Sequence, residues 1–147
     1  TFQSSGADVV VAFEEVPREE VFRYGIAQPR GRVDDVFELE RLIEKPDIAE
    51  APSNLAVAAR YVFSPKIFDT LVQTKPGKGG EIQLTDAIQM LLESGGKGLG
   101  LRLHSHERRF DIGNFESYFK AFIDFALADE KYGYMIRQYL KRKAREL

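Results

Sequence analysis

The stretch LAVAARYVFSPKIFDTLV, residues 55–72, decides the fold class because it joins a buried strand directly to a helix. The run Leu55–Phe63 is almost entirely apolar, which is typical of a strand in the interior of a sheet. Ser64 is a favourable N-cap and Pro65 a favourable first helical residue, so a helix is predicted as far as about Val72. A strand followed at once by a helix indicates an α/β protein.

The same alternation extends in both directions along the chain. Further strands are predicted for Ala7–Phe13, Tyr24–Gln28, Val36–Glu44 and Gly98–His104, with a short continuation at Arg108–Ile112. Further helices are predicted for Pro17–Phe22 and Glu81–Glu93, for a segment capped by Asn114, and for a last segment from Asp129. The aromatic stripe Phe115–Phe122 predicts either core packing or a subunit interface, and we expect a homo-oligomer.

Composition excludes several classes of protein. Of the 147 residues 44% are hydrophobic, and 21 basic against 23 acidic side chains give a net charge of −2, which argues against disorder and against nucleic acid as the main partner. The absence of cysteine excludes a disulfide scaffold and thiolate metal sites. No apolar run approaches the ~20 residues of a membrane span. The first residues have no signal-peptide pattern and no initiator Met, so we expect a cytoplasmic chain that begins within a longer protein.

The end of the predicted strand Val36–Glu44 carries an acid and a base side by side, Glu44 and Lys45. Adjacent strand residues face opposite sides, so one of the two is expected to point toward the interior, a cleft or a sheet edge. A carboxylate there can accept hydrogen bonds from sugar hydroxyls, and an ammonium can neutralise a phosphate. An exposed charge pair without function is the alternative that this spacing leaves open.

Two further positions are candidates on weaker grounds. Asp111 lies near the end of the predicted strand Arg108–Ile112 and precedes the cap of a helix, where α/β sheets bind ligands and where a carboxylate can hold Mg²⁺. Its alternative role is to accept hydrogen bonds from backbone amides in the turn. Gly25 opens a predicted strand, and a glycine there permits close approach either of a ligand or of a neighbouring part of the protein.

Five segments taken together resemble the bacterial UTP–glucose-1-phosphate uridylyltransferases, also called UDP-glucose pyrophosphorylases. They occur in the family's order, and the resemblance runs from about Val9 to Gly133. The segments are YGI (24–26), IEKP (43–46), APSNLA (51–56), GEIQLTDAI (80–88) and FDIGN (110–114).

The resemblance implies a Rossmann-like mixed sheet with helices packed on it. It also implies a Mg²⁺-assisted reaction of UTP with glucose 1-phosphate that gives UDP-glucose and diphosphate. Gly25 would contact glucose through its backbone, Glu44 would bind sugar hydroxyls, and Asn54 would line the glucose site. Lys45 would hold the sugar phosphate, and Asp111 would be one of two aspartates that bind Mg²⁺; these two are the predicted catalytic residues.

The family's glycine-rich nucleotide loop with Gly-Thr-Arg, its Pro-Lys segment and its other metal-binding Asp do not occur in these 147 residues. We therefore expect a sugar-phosphate-binding C-terminal part of a nucleotidyltransferase that is inactive alone, with an oligomer interface from about Asn114 onward. Two alternatives remain at this point. One is a non-catalytic regulatory or assembly module with the same fold, and the other is a sibling thymidylyl- or adenylyltransferase.

Overall fold

The computed structural model describes residues 1–77, 80–104, 107, 109–110 and 112–146. The chain divides into two compact units, Thr1–Arg108 and Arg109–Leu147. The first unit contains α1 (Phe2–Ser5), β1 (Val9–Glu15), a 3₁₀ helix (Arg18–Arg23), β2 (Gly25–Arg30), β3 (Val36–Glu44), β4 (Leu55–Phe63), α2 (Lys66–Gln73), α3 (Leu84–Glu93) and β5 (Gly98–Arg102). The second contains α4 (Phe115–Ala128) and α5 (Gly133–Lys143).

The five strands pair in the order β1-β4-β2-β3-β5, and β5 pairs again with β1, so the ladder closes on itself. The β1–β5 pair is parallel, whereas the other pairs are antiparallel. The sheet is therefore mixed, and together with the helices it confirms the predicted α/β class.

The main core lies between this sheet and the helices α2 and α3. Val9, Val11 and Phe13 of β1 are completely buried, as the valine-rich sequence of that strand predicts. Phe37 of β3 packs on Phe13 with ring centroids 5.6 Å apart. A Cβ at Gly100 would lie 2.1 Å from the Phe37 ring, so only glycine leaves room for this aromatic pair.

A smaller core covers the other side of the sheet. It joins Ile26 of β2 and Ala56 of β4 to Val21 of the 3₁₀ helix and to Ala51 of the loop between β3 and β4. The loop and the 3₁₀ helix therefore pack together on one face of the sheet.

Helix α3 also supplies a hydrogen-bond acceptor for a backbone amide of β3 beyond the part that pairs with β5. The pairing of β3 with β5 covers Val36–Glu38, and Leu42 lies beyond it. The side-chain oxygen of Gln89 accepts a hydrogen bond from the Leu42 amide at 2.9 Å. A strand edge that would otherwise expose an unpaired donor is thus covered by a helix, and the end of β3 is held against α3.

Several predicted boundaries are confirmed and others are wrong. The bounds of β3 and β4 agree with prediction, and the Asn114 side chain accepts a hydrogen bond from the Ser117 amide at 2.9 Å, which confirms the predicted cap. Helix α3 begins three residues later than predicted, and β5 ends at Arg102 rather than His104. The strand predicted at 108–112 is wrong for Arg109, Phe110 and Ile112, and the other two positions lie outside the described residues.

In the second unit, α5 begins at Gly133 rather than at Asp129. The Asp129 carboxylate instead accepts hydrogen bonds from the backbone amides of Lys131, at 3.0 Å, and Tyr132, at 2.7 Å, which form the turn before α5. The aromatic stripe of α4 is exposed, with 81% of Phe115 and 62% of Phe122 accessible, so the prediction of core packing is wrong for these side chains. In the part of the chain that the structure describes, no helix combines the length and apolarity needed to cross a bilayer.

Candidate sugar-phosphate site

The carboxylate of Glu44 is the centre of the candidate site. Glu44 is the last residue of β3 and lies opposite Gly25, the first residue of β2. Its side chain is only 15% exposed. The buried hydroxyl of Thr85, in the first turn of α3, donates a hydrogen bond to Glu44 Oε2 at 2.9 Å. This bond fixes the carboxylate and leaves further lone pairs on both oxygens for other donors.

Gly25 is required by close packing. A Cβ on this residue would lie 2.9 Å from Thr85 Cγ2, 3.2 Å from Glu44 Oε2 and 3.2 Å from Val57 Cγ2. Of the two roles that the sequence leaves open, the structure shows the approach of neighbouring side chains. The missing Cβ lets Thr85 reach Glu44.

Lys45 follows β3 with a left-handed backbone, φ 46°. Its amide donates a hydrogen bond to the Tyr24 carbonyl at 2.9 Å, and its Nζ lies 3.6 Å from Glu44 Oε1. The expectation that one of the two points inward is confirmed, because the Glu44 side chain is 15% exposed and that of Lys45 is 46% exposed. Their charged groups nevertheless meet, because Lys45 has already left the extended conformation on which strict alternation depends. A residue before proline, here Pro46, seldom adopts this conformation, so the surrounding structure must hold it.

Gly25, Glu44, Lys45 and Thr85 form one group, which we call the Glu44 corner. Its charged pair combines a glutamate side chain that is 15% exposed with a lysine side chain that is 46% exposed. An acceptor of fixed orientation thus lies beside a cation that solvent and ligands can reach. This arrangement suits a ligand that has both hydroxyl groups and a phosphate.

The pKa of Tyr61 in β4 is affected by the charge of Glu44. Burial raises the pKa of its phenol, and the negative charge of Glu44 raises it further. The hydroxyl therefore stays protonated well above neutral pH. The Tyr61 ring stacks on Phe63 with centroids 5.6 Å apart.

Asn54, at the start of β4, makes different contacts. Its side-chain amide donates to the Val16 carbonyl at 3.4 Å, and the Val16 amide donates to the Asn54 carbonyl at 3.0 Å. None of the contacts described for Asn54 reaches the Glu44 corner. The structure thus brings together three of the predicted site residues, Gly25, Glu44 and Lys45, and places Asn54 against the end of β1.

Asp111, the predicted Mg²⁺ ligand, lies outside the described residues. Among the residues that the structure does describe, no three His, Asp or Glu side chains are grouped closely enough to hold a metal ion. The Mg²⁺ site therefore stays a prediction.

Sequence reasoning gave Thr85 no role at the site. A signal was present, because Thr85 lies three residues before Ile88 and so falls near the apolar stripe of α3. A polar residue on a buried helix face needs a hydrogen-bond partner, and the partner is the carboxylate of Glu44.

Comparison with known proteins identifies the family of the chain. The profile of the Nucleotidyl transferase family matches residues 1–127. The chain belongs to this family. A UTP–glucose-1-phosphate uridylyltransferase of Pseudomonas aeruginosa is 46% identical over 112 residues, which are 76% of this chain and 39% of that protein. A Haemophilus influenzae protein of the same name is 39% identical over an alignment of 149 positions, with 99% of this chain and 49% of that protein covered.

Solved structures of nucleotidyl transferases with similar folds also match. A UDP-glucose pyrophosphorylase complexed with UDP-glucose superposes with a TM-score of 0.78 at 36% identity, over 87% of this chain and 47% of that one. A UTP-bound enzyme from Acinetobacter baumannii gives a TM-score of 0.80 at 33% identity, over 95% of this chain and 46% of that one. The chain thus spans about half the length of the relatives that it matches, between 39% and 49% in these four.

Proposed function

We propose that the full-length protein is a UTP–glucose-1-phosphate uridylyltransferase and that this chain contributes the sugar-phosphate side of its active site. The Glu44 corner is the observation that carries the proposal, because it joins a held carboxylate to an accessible ammonium 3.6 Å away. The relatives' names and the bound UDP-glucose and UTP in two of the similar structures support the choice of substrates.

In this proposal each residue of the site recognises one part of glucose 1-phosphate. The carboxylate of Glu44 accepts hydrogen bonds from sugar hydroxyls with the lone pairs that Thr85 leaves unused. The ammonium of Lys45 neutralises the sugar phosphate as a point charge. Gly25 offers backbone contacts, and Asn54 lines the glucose site from the start of β4.

The proposed reaction joins two anionic substrates. A phosphate oxygen of glucose 1-phosphate attacks the α-phosphorus of UTP, the new O–P bond forms, and the bond to the leaving diphosphate breaks. Such a transfer needs positioning and charge neutralisation, with no nucleophile from the protein. Lys45 lowers the repulsion between the attacking phosphate and the triphosphate, so its charge acts where the reacting groups meet.

Mg²⁺ is part of the proposal on the strength of the family resemblance. It would neutralise charge on the phosphate groups, with Asp111 as one of its protein ligands. Activity of the full-length protein that survives complete removal of divalent cations with a chelator would contradict this part.

Three further expectations complete the proposal. The mixed sheet forms part of a Rossmann-like sheet in the full-length enzyme, and the enzyme acts in the cytoplasm. The exposed aromatic side chains of α4 contribute to a homo-oligomer interface. Light scattering on a variant with Phe119→Ser and Phe122→Ser tests the last point, and an unchanged mass would contradict it.

The direct test is formation of UDP-glucose by the full-length protein from UTP and glucose 1-phosphate. We expect the wild type to form it and Glu44→Gln to lose most of the activity. Glu38→Gln is the matched control, because Glu38 lies on the same strand but pairs with Arg30 at the surface, with 50% of its side chain exposed. A wild-type protein that makes no UDP-glucose, or equal losses in the two variants, would refute the proposal.

A further inference from the structure

We propose that Arg18 is a positioning residue of the sugar-phosphate site. Its guanidinium fastens the loop between β3 and β4, residues 45–54, to the 3₁₀ helix that leads into Gly25. This tether holds Lys45 in the conformation that binds phosphate. The inference rests on the proposed function and adds to it a residue that no family motif quoted above includes.

The contacts of Arg18 converge on a single loop. Nη2 donates hydrogen bonds to the carbonyls of Ile48, at 3.1 Å, and Ala51, at 2.7 Å. Nη1 donates to the carbonyl of Ser53 at 3.2 Å. A planar guanidinium with several fixed donors can hold three carbonyls at once, whereas an ammonium is a single point of charge.

The two parts of the loop are held in different ways. Near its end, the Ser53 hydroxyl donates to the Ala27 carbonyl of β2 at 2.6 Å and accepts from the Leu55 amide at 3.1 Å. Near its start, the amides of Glu50 and Ala51 both donate to the Asp47 carbonyl, which forms a local turn. The hydrogen bonds from Arg18 to Ile48 and Ala51 join this turn to another element of the fold.

The turn matters because it follows Lys45 directly, after Pro46. The amide of Lys45 is tied to the Tyr24 carbonyl on one side, and the turn held by Arg18 begins two residues later on the other. A left-handed, non-glycine residue before a proline persists only where its surroundings fix it from both sides. Arg18 contributes to the second of these restraints, together with the burial of Ala51 in the smaller core.

Loss of the tether has a specific kinetic consequence. If Lys45 spends part of its time in an extended conformation, only the remaining fraction of molecules can bind the sugar phosphate, and the apparent dissociation constant rises by the inverse of that fraction. Once the substrate is bound, the loop is again in place. The KM for glucose 1-phosphate should therefore rise while kcat changes little.

The test uses the full-length protein with Arg18→Gln, Arg18→Lys and the control Arg30→Gln, which removes a surface arginine paired with Glu38. We expect Arg18→Gln to raise the KM for glucose 1-phosphate on the order of tenfold. Arg18→Lys should raise it less, and Arg30→Gln should leave it unchanged. Hydrogen exchange at the amides of Glu50 and Ala51 should be faster in Arg18→Gln.

Each other outcome overturns the inference. An unchanged KM in Arg18→Gln overturns the inference even if hydrogen exchange in the loop is faster, because Arg18 then stabilises the loop without affecting substrate binding. Equal effects of Arg18→Gln and Arg30→Gln do so as well. If Arg18→Gln does not fold, Arg18→Lys replaces it and must show a raised KM. A wild type that makes no UDP-glucose refutes the proposed function but not this inference. In that case calorimetry of glucose 1-phosphate binding tests the inference. It fails unless Arg18→Gln binds glucose 1-phosphate more weakly than Arg30→Gln does.

Discussion

The two ends of the loop between β3 and β4 each carry predicted site residues, and they are built differently. At the first end, the side chain of Glu44 is 15% exposed and held by Thr85, and Lys45 has a left-handed backbone. At the second end, Asn54 is exposed and exchanges hydrogen bonds with the backbone of Val16. The contacts at the first end fix side chains in place, and those at the second end mainly fix the path of the chain.

The largest effect should come from removing the charge at the first end. In the full-length protein, Lys45→Ala should lower kcat/KM for glucose 1-phosphate by about 100-fold, since no other group of the Glu44 corner can neutralise the phosphate. Steady-state kinetics measures this. The control is Lys97→Ala, because Lys97 is an exposed lysine outside the Glu44 corner whose ammonium donates a hydrogen bond to the Ser5 carbonyl. Equal losses in both variants would remove the distinction between the two ends of the loop.

A smaller effect, on stability, should follow from filling the space at Gly25. Gly25→Ala should lower the free energy of unfolding by about 1–3 kcal/mol, because the new methyl would meet Thr85 Cγ2 at 2.9 Å. Urea unfolding measures this. Thr85→Ser removes Cγ2 but keeps the hydroxyl that binds Glu44, so the double variant should recover part of the loss. Strict additivity of the two substitutions would show that this contact does not limit residue 25.

The smallest effect should come from the second end. Asn54→Ala should raise the KM for glucose 1-phosphate about threefold, which corresponds to the loss of one ordinary hydrogen bond. The effect is small because the Asn54 side-chain amide also donates a hydrogen bond to the Val16 carbonyl. The same assay used for Lys45→Ala measures it. A loss as large as that of Lys45→Ala would reverse the ranking of the two ends.

Much of this region could be predicted from sequence, because local patterns determine it. An apolar run predicted β4 at its observed bounds, and an imperfect alternation of apolar and polar residues predicted those of β3, which ends in an acid followed by a base. The sequence could not give the register that places Gly25 opposite Glu44, since register depends on which strands pair and on the shift between Gln28 and Pro29.

The conformation of Lys45 was also beyond sequence reasoning. A residue before proline is expected to be extended, and tertiary contacts override that preference here. The pairing of β3 with β5 joins residues about 60 positions apart, and no local pattern specifies it. The same holds for the Arg18 tether, whose three acceptors are backbone carbonyls and leave no trace in residue identity.

The most direct measurement compares two ligands on the full-length protein, UDP-glucose and UTP, by calorimetry with the wild type and Glu44→Gln. If Glu44 binds the sugar, Glu44→Gln should weaken UDP-glucose on the order of tenfold, because a charged hydrogen-bond acceptor is lost. The affinity of Glu44→Gln for UTP, which has no glucose, should equal that of the wild type. Unchanged affinity for UDP-glucose, or an equal loss for both ligands, would contradict the account.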